Sequence, residues 1–256
     1  MIDLHTHILP GVDDGAPDLE TSVLMAAVAA ESGVTHLVAT PHSNQRGAFE
    51  NYASPALQVR FDCLRAAVRE AGIPLELSLG MEIFGTGDVP KLLREGRLLT
   101  INGGRYLLIE FGFHEDPLRI ERLLDELLAA GYWPVVAHPE RYFCVQDTPE
   151  LLYEFREMGA VLQINKGSVF GRFGEEAERT ARFLLENRLA GCVASDAHGA
   201  DYRTTDMRPV RQFLEERYGE AYAQLLVKVN PRRILEDRQI FYEPSPERKR
   251  KRRWFL

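Results

Sequence analysis

Cysteine is scarce in this sequence, which limits both the fold class and the compartment. Three cysteines, Cys63, Cys144 and Cys192, are scattered through 256 residues. An odd and scattered set does not build the disulfide framework of a small secreted protein. We therefore expect a chain that works in a reducing compartment, the cytoplasm.

Long apolar runs, repeats and linkers are also missing. No stretch approaches the roughly 18 apolar residues that a membrane-spanning helix needs. The first residues lack the basic and then apolar regions of an export signal. No internal repeat or low-complexity segment divides the chain. We expect a single domain over residues 1–240 that does not span a membrane.

An excess of basic over acidic charge is missing from most of the chain. The net charge is −7, but residues 245–256 contribute +5, so the other 244 residues sum to −12. Nucleic-acid binding depends on neutralising phosphates, so an acidic body argues against a nucleic-acid partner. Residues 241–256 are predicted to be a basic, flexible tail. The alternative to a free, solvated end is peripheral contact with a membrane surface or an acidic partner.

Short apolar, β-branched runs alternate with segments in which apolar residues recur at helical spacing. Strands are predicted at 1–5, 35–40, 74–82, 106–110, 134–138, 160–165 and 191–195. Helices are predicted at 19–33, 55–72, 117–131, 149–159 and 174–188, with only a short piece at 89–95 between the third and fourth strands. This alternation of strands and helices predicts a parallel sheet covered by helices. Seven strand–helix units favour closure of that sheet into a barrel. The expected fold class is α/β, a distorted seven-stranded (β/α)7 TIM-like barrel.

Six of the seven predicted strands end in a histidine or a carboxylate. In parallel α/β folds, functional residues collect at the carboxyl ends of the strands. His5 and His7 share one face because side chains alternate along a strand. The sixth strand offers Asn165 instead, while His36 and His114 are interpreted as structural or exposed. The candidate metal ligands at this rim are His5, His7, Asp14, His42, Glu82, Glu110, His138, Asp196 and His198.

Nine nitrogen and oxygen donors at one rim need a cation. Four of them are carboxylates, and burying unpaired carboxylates is costly. Nine donors exceed the needs of one ion and suit two or three ions with bridging carboxylates. The absence of thiolate ligands favours Mn, Fe or Zn in a catalytic centre over a structural zinc site.

The motifs that carry these donors resemble a known superfamily. They are DLHTHILPGVDDGAPD (3–18), ATPH (39–42), GMEI (80–83), LLIEF (107–111), AHPERY (137–142) and SDAH (195–198). In this order and spacing they resemble the PHP (polymerase and histidinol phosphatase) superfamily of metal-dependent hydrolases. Within it, the chain is similar to the CpsB/CapC type over about residues 1–240. That type comprises bacterial manganese-dependent protein tyrosine phosphatases linked to capsular and exopolysaccharide synthesis.

The resemblance implies a PHP-fold barrel with three Mn²⁺ ions, Fe or Zn being the alternatives. It assigns His5, His7 and Asp196 to a first ion, Glu82 as the bridge to a second ion with Glu110 and His138, and Asp14, His42 and His198 to a third. Asp13 is a weaker candidate, for which a loop hydrogen bond is the alternative role. The chain departs from the family at Gly199, where relatives often carry Asn. It also lacks the more basic loop after His42, which leaves the function of residues 43–47 open.

Two arginines at the same rim are predicted to bind phosphate. A phosphomonoester needs charge neutralisation and a nucleophile in line with the leaving oxygen, which a water acidified by two cations can supply. Arg141 lies three residues after His138, and Arg203 lies five residues after His198. The planar guanidinium suits phosphate oxygens, and the resemblance implies the same role. Surface salt bridging is the alternative for both, and Arg46 is a weaker candidate.

Cys63 and Arg69 match the Cys-x5-Arg spacing of cysteine-dependent tyrosine phosphatases. That mechanism needs a glycine-rich loop whose amides cradle phosphate at the start of a helix. No glycine lies between the two residues, and residues 55–72 are predicted to be helical throughout. We interpret Cys63 as a core residue and water as the nucleophile.

The predicted function is hydrolysis of phosphotyrosine on a protein, expected to be a cognate tyrosine kinase of capsule or exopolysaccharide assembly. The alternatives are a phosphatase of a small metabolite such as histidinol phosphate, and a phosphoesterase acting on nucleotides. A metal-dependent amidohydrolase and a binding protein that uses the metal centre structurally also stay open. The nine donors together with the two arginines favour an enzyme over a binding protein.

Overall fold

The computed structural model describes residues 1–245, in which strands and helices alternate. The strands are β1 (Ile2–Thr6), β2 (His36–Ala39), β3 (His42–Ser43), β4 (Glu76–Leu79), β5 (Glu82–Phe84), β6 (Tyr106–Glu110), β7 (Trp133–Ala137), β8 (Val161–Asn165) and β9 (Ala190–Ala194). The helices are α1 (Leu19–Glu31), α2 (Pro55–Glu70), α3 (Val89–Arg94), α4 (Pro117–Ala129), α5 (Phe143–Asp147), α6 (Leu151–Met158), α7 (Lys166–Val169), α8 (Glu175–Glu186), α9 (Arg208–Tyr218), α10 (Glu220–Gln224) and α11 (Asn230–Leu235).

The strands form two parallel sheets. One sheet has the order β1-β2-β4, and the other has the order β3-β5-β6-β7-β8-β9. The sheets meet where β1 and β9 end, at a parallel bridge between Thr6 and Ala197. The parallel α/β fold class is therefore confirmed. Within residues 1–245 no continuous ladder closes the sheets, so the closed barrel stays a prediction.

The described part of the chain has nine strands because the predicted strand 74–82 is interrupted and the short β3 lies beyond the end of the predicted strand 35–40. Pro41 follows β2 and has no amide hydrogen for a ladder, and pairing resumes with the short β3. The predicted strand 74–82 breaks at Gly80 and Met81 into β4 and β5. β2 pairs with β4 in one sheet and β3 with β5 in the other, so these breaks are where the two sheets separate.

The predicted helices are confirmed within two or three residues at their ends. α2 shows why the prediction works: Ser54 caps its first turn, and Leu57, Phe61, Leu64 and Val68 form one buried stripe. Cys63 lies off that stripe and is exposed, so its interpretation as a core residue was wrong. The helix runs through the whole Cys-x5-Arg segment, so the phosphate loop of a cysteine phosphatase is not formed.

The alternation of side chains along β6 places a carboxylate at the carboxyl end of the strand. Leu107 and Ile109 pack in the apolar cluster that includes the helices, whereas Tyr106 and Leu108 belong to a second apolar cluster. Glu110 continues the face of Tyr106 and Leu108 at the carboxyl end of the strand. The apolar strand body therefore fixes the direction in which the terminal glutamate points.

The last described residues pack against the domain. Glu243 forms an ion pair with Arg188 at 3.1 Å, and Tyr242 lies under the guanidinium of Arg156. Most of the predicted tail, residues 246–256, lies outside the described residues, so its flexibility and contacts stay predictions. None of the helices within residues 1–245 has the length and hydropathy needed to cross a membrane.

Candidate metal centre

All nine predicted ligands lie together at the carboxyl edge of the strands. Three groups offer donor atoms within 4.8 Å of one another: His7, Asp14, His42 and His198; His5, His7 and Asp196; and His42, Glu82 and Glu110. His138 joins them through its Nε2, which is 2.9 Å from Glu82 Oε1. The groups share His7 and His42, so they form one continuous cluster.

Strand register and two unusual backbone conformations aim these side chains. His42 and Glu82 are partners across β3 and β5, and Glu110 pairs with Phe84 one strand further on. His138 and Asp196 follow β7 and β9 with φ of 33° and 48°. This left-handed region is uncommon for residues with a side chain and is typical of functional sites. Both residues turn towards the cluster directly after their strands end.

Glu82 lies at the centre of the cluster. Its Oε1 is 2.9 Å from His138 Nε2 and 3.2 Å from His5 Nε2. Its Oε2 is 3.0 Å from His42 Nδ1 and 3.3 Å from His7 Nε2. A fully buried carboxylate that contacts four imidazoles through both oxygens has the geometry of a bridging ligand.

The electrostatics of the cluster favour ionised carboxylates. Burial opposes ionisation of Glu82, but the neighbouring His5 and His42 hold its pKa well below the ordinary value. Burial lowers the pKa of His42, yet the Glu82 and Glu110 carboxylates raise it to about 10. A hydrogen bond with His198 lowers the pKa of Asp14 to about 2. A proton on His42 therefore offsets part of the carboxylate charge, and metal ions could take its place.

Three buried polar atoms of the cluster contact one another without a well-formed hydrogen bond among the described residues. His42 Nδ1 lies 3.0 Å from Glu82 Oε2 and 3.1 Å from Glu110 Oε1. Buried polar atoms are normally paired because an unpaired one is costly. Oxygen and imidazole nitrogen without thiolate are the ligands that Mn²⁺, Fe²⁺ and Zn²⁺ accept. The donor set therefore fits divalent metal ions.

Two buried side chains orient the first two histidines. Gln163 Oε1 lies 2.9 Å from His5 Nδ1, and Asp13 Oδ2 lies 2.8 Å from His7 Nδ1. Because both oxygens accept, each ring donates from Nδ1 and keeps Nε2 for the cluster. Asp13 also accepts from the amides of His42 and Gly15, so it makes the loop hydrogen bonds expected as its alternative role.

Gln163 is a functional residue that the sequence analysis missed. It is the one polar residue between the apolar residues of the buried strand β8. A polar residue at such a position was the signal in the sequence that could have identified it. Asn165 at the end of the same strand donates to Asp196 Oδ2 and accepts from the amide of Gly167 at 2.9 Å. Gln163 and Asn165 therefore each contact one predicted metal ligand, His5 and Asp196 respectively.

Arg141 and Arg203 converge on one oxygen of Asp196. Arg203 Nη2 is 2.6 Å from Asp196 Oδ2, and Arg141 Nη1 is 3.8 Å from it. The two guanidinium groups are mostly buried, with side chains 18% and 19% exposed. Arg203 Nε is buried without a hydrogen-bond partner in the described part of the chain, which leaves a donor for a bound anion.

The remaining candidates lie away from the cluster. Arg46 pairs with Asp88 at 2.8 Å on the surface, so the structure does not support it as a phosphate contact. His36 bonds to Ser78 Oγ at 2.8 Å, and His114 packs edge-on against Phe143. Neither histidine belongs to the metal-ligand groups, in agreement with the sequence interpretation.

A parallel α/β fold that gathers five imidazoles and four carboxylates at one strand edge defines a metal-dependent hydrolase of the PHP type. More narrowly, this chain belongs to the CpsB/CapC family. The family model described as "Capsular polysaccharide synthesis, CpsB/CapC" matches residues 1–236.

Two curated relatives are similar over almost their whole length. Tyrosine-protein phosphatase YwqE of Bacillus subtilis (strain 168) is 37% identical over 252 residues, covering 98% of each chain. Tyrosine-protein phosphatase CpsB of Streptococcus pneumoniae is 34% identical over 245 residues, covering 94% of this chain and all of the relative. The family and the expected resemblance are therefore confirmed.

Solved structures support the same fold. The crystal structure reported with YwqE from Bacillus subtilis and CpsB from Streptococcus pneumoniae, "unique metal-dependent tyrosine phosphatases", superposes with a TM-score of 0.89 and 37% identity. It covers 98% of this chain and 100% of the solved one. A β-aspartyl dipeptidase from Fervidobacterium islandicum, at 16% identity and a TM-score of 0.53, shares the fold alone.

Proposed function

We propose that this chain is a metal-dependent protein tyrosine phosphatase that hydrolyses phosphotyrosine on proteins. The observation that carries the proposal is the pair of arginines beside the metal-ligand cluster, which meet at Asp196. A guanidinium fork recognises phosphate, and a donor set of this kind holds ions for hydrolysis. Similarity over almost the full length to proteins named tyrosine-protein phosphatases supports phosphotyrosine as the substrate.

The nine clustered residues hold three ions in this proposal. His5, His7 and Asp196 bind the first, Glu110 and His138 the second, and Asp14, His42 and His198 the third, with Glu82 bridging. Mn²⁺ is the proposed ion, and Fe or Zn are the alternatives that the donor types accept. The support for the bridge is the contact of Glu82 with four imidazoles. A closed, distorted seven-unit barrel over residues 1–240 completes the proposal.

When bound, the ions supply Lewis acidity that offsets phosphate charge and brings the pKa of water towards neutrality. Arg141 and Arg203 bind the phosphate oxygens through their N–H groups, and Asp196 holds both guanidinium groups beside the ligand cluster. Gln163 and Asp13 keep the imidazole rings of His5 and His7 in the orientation needed at the centre. The tyrosine phenolate, with a pKa of about 10, leaves without a general acid.

The proposed substrate is a tyrosine-phosphorylated protein, in the first place the tyrosine kinase of capsule or exopolysaccharide assembly. The proposed compartment is the cytoplasm. Support for this partner comes from the family's link to capsular polysaccharide synthesis. The acidic body of the protein disfavours a polyanionic nucleic-acid substrate.

The test compares three substrates, two variants of predicted ligands and one control variant. A phosphotyrosine peptide, histidinol phosphate and a nucleotide diester are assayed with Mn²⁺, and the metal content of the purified protein is measured. We expect the peptide to have the highest kcat/KM. His42→Ala and His198→Ala should each abolish turnover, whereas His114→Ala, outside the cluster, should not.

Other results would contradict the proposal. Preference for histidinol phosphate would make the protein a metabolite phosphatase. Bound metal without turnover of any substrate would make it a binding protein. Full turnover by His42→Ala or His198→Ala would refute the third metal site.

A further inference from the structure

We propose that Phe173 is a positioning residue that holds both phosphate-binding arginines in place. The inference rests on the proposed function, because it assumes that Arg141 and Arg203 bind the phosphate of the substrate. Phe173 does not contact the metal-ligand cluster in this proposal. It acts through the two arginines.

The ring of Phe173 contacts both guanidinium groups. Arg141 Cζ lies 4.2 Å from the ring centroid, and Arg203 Cζ lies 5.5 Å from it. Both distances are within the roughly 6 Å over which a cation is attracted by an aromatic face. Phe113 covers Arg141 as well, at 4.6 Å, so that guanidinium packs against two rings.

An aromatic face is suited to this task for an electrostatic reason. Two guanidinium groups that approach the same oxygen of Asp196 repel each other. A second carboxylate would hold them, but it would occupy N–H donors and cancel charge that the phosphate needs. The π face of Phe173 attracts both cations and leaves their N–H edges free for phosphate oxygens.

Phe173 is itself fixed by the backbone that follows β8. A Cβ atom at Gly167 would lie 2.7 Å from Cε2 of the ring, so the ring rests directly on the Gly167 backbone. Asn165, which orients Asp196, accepts a hydrogen bond from the amide of Gly167 at 2.9 Å. One short segment therefore connects the ring, the shared carboxylate and the two arginines.

The surroundings of Phe173 argue against a core role. The residue is half-buried and belongs to neither apolar cluster of residues 1–245. Its replacement should therefore affect phosphate binding much more than the stability of the fold.

The experiment measures binding and turnover in the metal-loaded protein. Phe173→Leu keeps apolar volume and removes the aromatic face. We expect about a tenfold increase in KM for a phosphotyrosine peptide and in Kd for inorganic phosphate by calorimetry, with a smaller change in kcat. Phe173→Tyr keeps the aromatic face and should therefore have the KM and the phosphate Kd of the wild type. The metal content should be the same in both variants.

Phe170→Leu is the matched control. Phe170 lies three residues earlier, is 50% exposed, and packs against Phe213 at 5.8 Å instead of against the arginines. Its substitution should leave KM and the phosphate Kd as in the wild type. Equal losses in the two leucine variants, or wild-type constants in Phe173→Leu, would overturn the positioning role.

Phosphate binding separates this inference from the proposed function. If the wild type binds phosphate in a Phe173-dependent manner but does not hydrolyse phosphotyrosine, the proposed function fails and the positioning role stands. If it hydrolyses phosphotyrosine and Phe173→Leu is unchanged, only the positioning role fails. A wild type that neither binds phosphate nor hydrolyses phosphotyrosine overturns both.

Discussion

The two ends of the strands hold their charged side chains differently. At the amino ends, Arg105 donates from its backbone and its Nε to Asp237, at 2.7 and 2.9 Å, and its guanidinium lies 3.7 Å from the ring of Trp133. At the carboxyl ends, buried atoms of Glu82, Glu110 and His42 crowd together at 3.0 and 3.1 Å without a well-formed hydrogen bond among the described residues. Hydrogen-bonded pairs stabilise the fold, whereas buried polar atoms that lack hydrogen bonds are available to ligands.

Left-handed backbone conformations occur at both ends. His138, Asp196 and Arg203 have positive φ at the metal-ligand edge, and Asn102, Arg188 and Asp237 have positive φ at the amino edge. Such conformations cost free energy, on the order of 1–3 kcal/mol each, and persist where the surrounding structure holds them. The difference lies in what these conformations position: at the carboxyl edge they aim predicted ligands and an arginine at the cluster, whereas at the amino edge Asp237 pairs with Arg105. Changes at the carboxyl edge should affect metal binding and turnover, and changes at the amino edge should affect stability alone.

The largest effect is expected from Glu82→Gln. The substitution keeps the shape of the side chain but removes the charge that contacts four imidazoles. We expect kcat/KM for a phosphotyrosine peptide to fall roughly a thousandfold or more, together with bound metal. Elemental analysis and a steady-state assay check this. Glu76→Gln is the control, because the Glu76 side chain is 82% exposed and, within residues 1–245, forms an ion pair with His36 alone, at the amino edge. Similar losses in both variants would remove the contrast between the two ends.

A smaller effect is expected from Gln163→Leu. The leucine leaves His5 Nδ1 without its acceptor at 2.9 Å, so the ring is held less well for metal binding. Residues that orient a metal ligand typically contribute about 10- to 100-fold in affinity. Calorimetric titration of the metal-free protein with Mn²⁺ should show a decrease in this range. Gln163→Glu keeps an acceptor and should retain most of the affinity. An unchanged Mn²⁺ affinity in the leucine variant would contradict the orienting role.

The smallest effect is expected from Arg105→Ala at the amino edge. The substitution removes a half-exposed ion pair and a contact with Trp133, a loss of about 1 kcal/mol. Thermal unfolding should shift down by about 2–4 °C, with kcat and KM unchanged. Arg119→Ala, which removes a looser surface pair at 3.8 Å, should shift it less. A loss of turnover in Arg105→Ala would show that the amino edge also serves catalysis.

Much of the fold and the site could be predicted from local pattern. Apolar runs bounded by turn residues located the strands, and helical spacing located α2 with its buried stripe. The break at Gly80 and Met81 and the short β3 were missed, because both depend on which strand each segment pairs with. Gln163 was missed for a similar reason: a polar residue inside a strand has meaning only when its partner, His5, is known. Cys63 was wrongly interpreted as a core residue: the buried stripe of α2 includes the next residue, Leu64, and leaves Cys63 exposed.

Local sequence is sufficient to state which donor types stand at which strand ends, because side chains alternate with a period of two and parallel strands share one direction. It is not sufficient to state which donors meet. The pairing of His42 with Glu82, the turn of His138 and Asp196 into the cluster, and the convergence of two arginines on one carboxylate arise in the folded chain. They depend on register and packing between segments distant in sequence, which no local period encodes.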